Sequence, residues 1–136
     1  MRFLLDTDIC IDLFRGSRSL IVLLSQLAPS DCCVSVISYY ELINGVLRSR
    51  NPKRDRRMVD LFFDTMQILP FDRGTAMEAA NIRYELERKG CMIGPYDVLI
   101  AAQAREKSLT VVTRNLNEFS RVEGLAVDDW KTPGPR

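Results

Sequence analysis

Histidine is missing from the 136 residues of this sequence. Its absence excludes Ser-His-Asp and Cys-His nucleophilic sites, general acid–base catalysis by an imidazole, and zinc sites that combine cysteine with histidine. If the chain is an enzyme, carboxylates must carry its chemistry.

Cysteine is scarce as well, with four residues and no C-x-x-C spacing. The adjacent pair cannot easily serve one tetrahedral metal site, and most of these residues lie in apolar runs, where a reduced, buried thiol is common. We therefore expect a reducing, cytoplasmic environment. The four are Cys10, Cys32, Cys33 and Cys91.

Long hydrophobic runs are missing too. The apolar start before Asp6 is too short for a signal peptide, and the run from Leu20 to Leu24 is too short to span a bilayer. Hydrophobic residues make up 46% and charged residues 27%, with a net charge of +1, so we expect a globular chain without membrane contact. Its length suits one domain, placed at residues 1–131, with the Pro/Gly-rich residues 132–136 as a flexible tail.

Short apolar runs alternate with segments of helical periodicity along the chain. This alternation predicts an α/β fold whose sheet has four to five strands and is mostly parallel. The predicted strands are Arg2–Leu5, Cys32–Ile37, Gln67–Phe71, Leu109–Thr113 and Leu125–Val127. The predicted helices are Asp8–Phe14, Ser19–Ala28, Ser38–Leu47, Met58–Phe63, Gly74–Lys89 and Pro95–Lys107.

Four polar residues map to one edge of this predicted sheet. Asp6 ends the first strand, and Asn115 follows the fourth. Glu41 and Asp97 fall in the first turns of two predicted helices, and Asp8 is an additional candidate. Since ligands of parallel sheets bind beyond the carboxyl ends of the strands, we expect these side chains to lie close together.

Each of these residues also has an ordinary structural explanation. Ser38 to Glu41 matches a capping box, and Asn115 to Glu118 matches a similar cap. Asp97 would favour a helix start through the helix dipole. Taken singly, these explanations are the better ones, and the functional hypothesis rests on the four residues together.

Asp6 is harder to explain by capping, because it closes an apolar strand instead of opening a helix, and Thr7 or Asp8 is available as the cap of the first helix. Clustered carboxylates without His or Cys ligands favour a hard ion such as Mg²⁺ or Mn²⁺. Such a site suits phosphoryl chemistry.

A basic segment at residues 48–57 (RSRNPKRDRR) carries a net charge of +5. Such a patch is typical of contact with a phosphate backbone, although a solvated helix face or loop would explain it equally well. The residues of this segment that could bind a phosphate backbone are Arg48, Arg50, Lys53, Arg54, Arg56 and Arg57.

Four aromatic residues near this segment fall at helical spacing among aliphatic residues. We interpret them as core or interface residues rather than as platforms for nucleic acid bases, and the helices that carry them could form a dimer contact. They are Tyr39, Tyr40, Phe62 and Phe63.

Together the motifs resemble a PIN-domain ribonuclease of the VapC toxin type. The resemblance rests on FLLDTDICIDLF, ISYYELINGV and GPYDVLIAAQAREKSLTVVTRNLNEF, which follow in the family's order from Arg2 to Phe119. It implies a three-layer α/β/α fold, metal-dependent cleavage of RNA, a homodimer, and a cognate VapB-type antitoxin that covers the active site.

The resemblance also implies roles for individual residues. Asp6 and Asp97 would hold Mg²⁺, or Mn²⁺ as a substitute, and Glu41 would complete the acidic triad. Asn115 stands where many relatives have Asp. Asn115 and Thr113 would hydrogen-bond ligands or substrate. A metal-activated water would then attack the phosphodiester in line and leave a 5′-phosphate and a 3′-hydroxyl. No catalytic role is expected at Glu118, where relatives frequently have His.

Two other functions remain open at the level of sequence. Asp6 could be the nucleophile of a haloacid-dehalogenase-type phosphatase, although the chain has no clear matching Lys and no room for a cap domain. Alternatively, the acids could bind Mg²⁺ in a non-catalytic regulatory or partner-binding domain.

Overall fold

Five short apolar segments form one parallel sheet in the computed structural model, which describes residues 1–131 and residue 136. Every residue of the first two strands in the chain is buried. The strands are β1 (Phe3–Leu5), β2 (Cys32–Ser35), β3 (Gln67–Leu69), β4 (Thr110–Val112) and β5 (Ala126–Asp128).

The strand order is β3-β2-β1-β4-β5, and every pairing is parallel. The central strand β1 pairs through Leu5 with Val34 of β2 on one side and with Val112 of β4 on the other. The chain winds outward in opposite directions from β1 and β4. Their carboxyl ends therefore frame the crevice where α/β sheets bind ligands.

Helices cover both faces of the sheet, so the predicted three-layer α/β/α architecture is confirmed. The helices are α1 (Thr7–Phe14), α2 (Arg18–Ser25), α3 (Val36–Leu47), α4 (Pro52–Phe63), α5 (Arg73–Lys89), α6 (Pro95–Lys107) and α7 (Leu116–Phe119), with a 3₁₀ turn at Pro29–Asp31.

Alternation along β1 divides the core into two clusters. Phe3 and Leu5 pack on the face covered by α1 to α4, with Ile9 among their neighbours. Leu4 points to the other face and packs with residues of α5, α6 and α7, such as Phe119. Successive side chains of a strand point to opposite faces, so an uninterrupted apolar run is what a strand buried on both faces requires.

Two predicted helix starts are wrong, and local capping explains both. The strand expected to reach Ile37 ends at Ser35, whose hydroxyl accepts a 2.9 Å hydrogen bond from the Ile37 amide and caps α3. Helix α4 begins at Pro52, six residues before the expected Met58, because Asn51 caps it and proline suits a first helical position.

The end of α5 is as predicted. Gly90 adopts a left-handed conformation, with φ of 64°, and its amide closes the last turn of the helix. A left-handed residue at this place is readily supplied by glycine, which has no Cβ to clash.

All four thiols are free, and three of them are buried. Burial raises the pKa of the Cys32 and Cys33 thiols to about 11, which keeps them protonated at neutral pH. No helix in the described part of the chain combines the length and apolar character needed to cross a bilayer. The predicted boundary at residue 131 stays a prediction, and most of the tail, residues 132–135, lies outside the described residues.

Candidate active site

Asp6 lies at the carboxyl end of β1 and is buried. Its Oδ1 accepts a 2.8 Å hydrogen bond from the Thr7 amide, and its Oδ2 accepts one of 2.8 Å from the Thr113 hydroxyl. Asp6 is thus the N-cap of α1, and the expectation that Thr7 or Asp8 would be the cap is wrong. Burial, followed by the charge of Asp8, raises the pKa of Asp6 to about 6.

Glu41 reaches the same edge from α3. The Thr7 hydroxyl lies 2.8 Å from Glu41 Oε1 and 2.8 Å from the Ser38 hydroxyl. Because a carboxylate can only accept, Thr7 gives its single proton to Glu41. The predicted capping box is wrong: Ser35 caps the helix, Ser38 is buried inside it, and Glu41 lies in the second turn.

Asp97 enters from the first turn of α6, which Pro95 opens. Burial, a hydrogen bond with Glu118, and the charges of Asp6 and Glu41 raise the pKa of Asp97 to about 7. The charge of Glu41 acts on both Asp6 and Asp97, so the three carboxyls lie within electrostatic reach of one another. A Cβ at Gly94 would lie 3.1 Å from Asp97 Oδ2, which is a crowded contact. Glycine at this position therefore leaves room for the Asp97 carboxyl.

Asn115 reaches the cluster through Glu118. Its Nδ2 donates a 2.7 Å hydrogen bond to Glu118 Oε2, and its side chain does not cap α7, contrary to the capping interpretation. The hydrogen bonds with Asp97 and Asn115 lower the pKa of Glu118. Glu118 is the residue missed at the sequence level, although its spacing of one turn from Asn115 placed it near the site.

Asp8 and Thr113 occupy the rear of the site. Asp8 Oδ2 accepts a 3.0 Å hydrogen bond from the Arg114 amide and lies 3.4 Å from the Thr113 hydroxyl, whose single proton goes to Asp6. Burial raises the pKa of Asp8. Its other oxygen, Oδ1, is buried and has no hydrogen-bond partner among the described residues. A buried carboxylate oxygen without a partner is a favourable ligand for a cation.

The donor chemistry of the cluster fits a hard divalent ion. Every candidate ligand is a carboxylate or amide oxygen. Burial and, after it, the charges of neighbouring acids raise the pKa values of Asp6 and Asp97, and a nearby cation would favour their charged forms. As the side chains stand, no three His, Cys, Asp or Glu residues within 1–131 and 136 are placed to hold a metal ion.

A cleft of about 770 Å³ opens from Thr7 and Glu41 toward the basic segment. We call it the active-site cleft. Arg48 and Arg54 line it, whereas the four other cations of the segment are not among its lining residues. All six candidate RNA-binding residues are exposed. Two of them form ion pairs, Arg54 with Asp55 at 3.2 Å and Arg56 with Asp60 at 3.0 Å.

The aromatic residues separate into two groups. Tyr39, Phe62 and Phe63 pack edge to face in the layer between α3 and α4, as expected for core residues. Tyr40 instead is exposed and contacts Tyr96 at the active-site cleft.

The sequence that forms this parallel sheet and its carboxyl cluster matches a known protein family. The model of the PIN domain matches residues 3–125, and the chain belongs to the PIN-domain family. This assignment removes the haloacid-dehalogenase-type alternative.

Within the family, the chain resembles VapC proteins, as its motifs predict. It is 38% identical over 130 residues to the tRNA(fMet)-specific endonuclease VapC of Salmonella typhimurium, covering 96% of this chain and 98% of that protein. It is 34% identical over 130 residues to ribonuclease VapC2 of Haemophilus influenzae, with the same coverage.

Solved structures show the same relationship. The DNA-bound VapBC of Salmonella typhimurium matches with a TM-score of 0.91 and 38% identity over 96% of this chain and 98% of that one. VapBC2 of Rickettsia felis, bound to a promoter DNA fragment, matches with a TM-score of 0.88 and 30% identity over 94% and 98%.

Proposed function

We propose that this protein is a Mg²⁺-dependent endoribonuclease, with Mn²⁺ as a substitute, and the toxin of a type II toxin–antitoxin system. The observation that carries the proposal is the meeting of Asp6, Glu41 and Asp97 at the switch point of a parallel sheet, where burial and mutual repulsion raise the pKa of Asp6 and Asp97 to about 6 and 7. The names of its relatives, which include ribonucleases and a tRNA-specific endonuclease, support the choice of RNA.

Asp6 and Asp97 would hold the ion, with the unpartnered Asp8 Oδ1 as a further oxygen close by. When bound, the ion lowers the pKa of a water molecule and offsets negative charge on the phosphate. Both carboxyls hold protons more tightly than exposed ones, so proton and ion compete for them near neutral pH.

The remaining residues fix the reacting groups. Glu41, oriented by the Thr7 hydroxyl, accepts the proton of the attacking water. Thr113 fixes the carboxylate of Asp6, and Glu118 with Asn115 orients Asp97. The water oxygen bonds to phosphorus as the P–O3′ bond breaks, and the leaving 3′-oxygen takes a proton from solvent, so the products carry a 5′-phosphate and a 3′-hydroxyl. The ribose 2′-hydroxyl takes no part.

A VapB-type antitoxin is the proposed protein partner. The structural relatives include several VapBC complexes, among them VapBC-1 of nontypeable Haemophilus influenzae, which is 29% identical over 97% of this chain. We also infer a homodimer, as the resemblance to the family implies.

The test is cleavage of a mixed cellular RNA pool by the purified, antitoxin-free protein. We expect discrete fragments in Mg²⁺ and none in EDTA, and a loss of orders of magnitude in Asp6→Asn or Asp97→Asn. The exposed Asp64→Asn variant, with the same change of charge, should cleave as the native protein does.

End-group analysis of the fragments tests the mechanism separately. Ends with 2′,3′-cyclic phosphate would exclude attack by water. If the folded, Mg²⁺-supplied protein leaves all RNA intact, the acids belong to a non-catalytic binding domain instead.

A further inference from the structure

Each of two candidate catalytic acids directly follows an exposed tyrosine. Tyr40 precedes Glu41 and Tyr96 precedes Asp97, although the pairs lie 56 positions apart. The tyrosine rings meet edge to face, with centroids 5.7 Å apart and planes at 77°, and their hydroxyls are 3.2 Å apart. The two side chains are 55% and 42% exposed. A pair of aromatic rings therefore stands in solvent beside the carboxyl cluster.

Unpaired positive charge lies in the same active-site cleft. Arg15, Arg48 and Arg54 line it together with both tyrosines. Arg54 pairs with Asp55, which also lines the cleft, but neither Arg15 nor Arg48 has a carboxylate partner within the described residues. The part of the cleft that these arginines line is therefore positively charged and suits an anionic ligand.

Rings with open faces beside unpaired arginines are the chemical requirement for binding an unpaired nucleotide. Bases stack on aromatic faces, and arginines bind the adjoining phosphates. In an edge-to-face pair, the ring that presents its edge keeps both of its own faces clear of its partner. A base that is paired inside a double helix has no free face for such contact.

We propose that Tyr40 and Tyr96 form a stacking platform for one unpaired base next to the scissile phosphate, with Arg15 and Arg48 on the adjoining backbone. The inference rests on the proposed ribonuclease function and deepens it: the substrate is a single-stranded segment, and one of its bases is held by these two rings. The tyrosines position the RNA and take no part in proton transfer.

The test measures binding of a short, fluorescently labelled single-stranded RNA to proteins carrying Asp6→Asn, which prevents cutting. Tyr40→Ala and Tyr96→Ala should each raise the Kd roughly 5- to 150-fold, the effect of losing one stacked base. Tyr40→Phe and Tyr96→Phe, which keep the ring, should stay within about twofold of the parent. Tyr84→Ala, which removes a similarly exposed tyrosine from α5, should leave the Kd unchanged.

A second arm uses RNAs that lack a single base. An abasic substitution at the stacked position should raise the Kd of the parent protein by the same factor. With this abasic RNA, Tyr96→Ala should cause no further rise in the Kd. With Asp6 restored, the alanine variants should raise KM more than they lower kcat. A merely structural role of the tyrosines would not produce dependence on one base of the RNA.

The outcomes separate this inference from the proposed function. If the native protein cleaves no RNA in Mg²⁺, the proposed function fails. If it cleaves RNA while both alanine variants bind RNA as tightly as their parent, the platform is wrong and the ribonuclease stands. Loss of antitoxin binding with unchanged RNA affinity would likewise overturn the platform and assign the cleft to the protein partner.

Discussion

The Thr113 hydroxyl donates a 2.8 Å hydrogen bond to Oδ2 of Asp6 and joins the ends of β4 and β1 across 107 positions of sequence. Both residues are buried. The hydrogen bond lowers the pKa of Asp6, whereas burial raises it to about 6. Thr113 therefore favours the ionised form of Asp6 against the larger effect of burial.

Replacing Thr113 with valine keeps the shape of the side chain and removes the hydroxyl. The pKa of Asp6 should rise above 6, because the variant cannot donate a hydrogen bond to the charged form. The acidic limb of the cleavage rate should move to higher pH, and ¹³C NMR of the Asp6 carboxyl should show the same direction. Thr113→Ser, which retains the hydroxyl, should keep the native profile. An unchanged Asp6 pKa in the valine variant would contradict the prediction.

The stability of the metal-free protein should depend on pH through Asp6. The ordinary pKa of 3.8 applies to the unfolded chain and about 6 to the folded one, so the folded state holds its proton longer. The stability that Asp6 contributes is then fully present below pH 4 and is lost as the pH rises through 6.

Asp6→Asn removes this titration and keeps a good N-cap. The free energy of unfolding of the variant minus that of the native protein should increase by on the order of 1–3 kcal/mol between pH 4 and pH 7.5. Urea unfolding in the presence of EDTA measures this difference. Added Mg²⁺ should narrow the gap by stabilising the native protein alone. Parallel curves with no pH-dependent difference would show that Asp6 is not the group responsible.

Glu118→Gln should lower the pKa of Asp97 from about 7. The variant removes a negative charge and offers an N–H to the ionised Asp97, while its carbonyl can still accept from Asn115 Nδ2. A titration of the Asp97 carboxyl by NMR measures the shift directly. Glu87→Gln on α5 is the matched control. A pKa that stays near 7 would mean that burial and the charges of Asp6 and Glu41 account for it without Glu118.

The basic segment should act on RNA affinity through charge. Arg50→Gln with Lys53→Gln should weaken binding of different single-stranded RNAs to a similar extent. It should also reduce the slope of log K against log salt by roughly 0.7 for each phosphate that the variant no longer neutralises. Arg88→Gln with Lys89→Gln at the end of α5 removes the same charge elsewhere and should leave the slope unchanged. Equal slopes for the native protein and both double variants would show that Arg50 and Lys53 do not contact the RNA.

Much of this fold follows from local pattern. The apolar run before Asp6 and the run before Thr113 are buried on both faces, and such strands consist of unbroken hydrophobic segments. Gly90 marked the end of α5 because a left-handed residue was needed there. Once these elements alternate, a parallel sheet follows, and it brings Asp6, Glu41 and Asp97 to one edge.

The parts that sequence did not predict depend on contacts between distant residues. Val36 and Ile37 suit a strand as well as a helix, so only the hydrogen bond from the Ile37 amide to Ser35 shows where α3 begins. Glu118 joins the site through its contact with Asp97, which the pattern of a four-residue helix cannot reveal. The roles of the site residues remain predictions until variants are measured.

The sheet order also sets when the active centre can assemble during translation. Asp6 and Glu41 leave the ribosome early, but the strand that flanks β1 on its other side begins only at Thr110. Until then Asp6 lacks the Thr113 hydroxyl, and neither Glu118 nor the far wall of the crevice has been synthesised. A nascent chain that ends before Thr110 therefore lacks the assembled carboxyl cluster, whatever its amino-terminal half has already folded into.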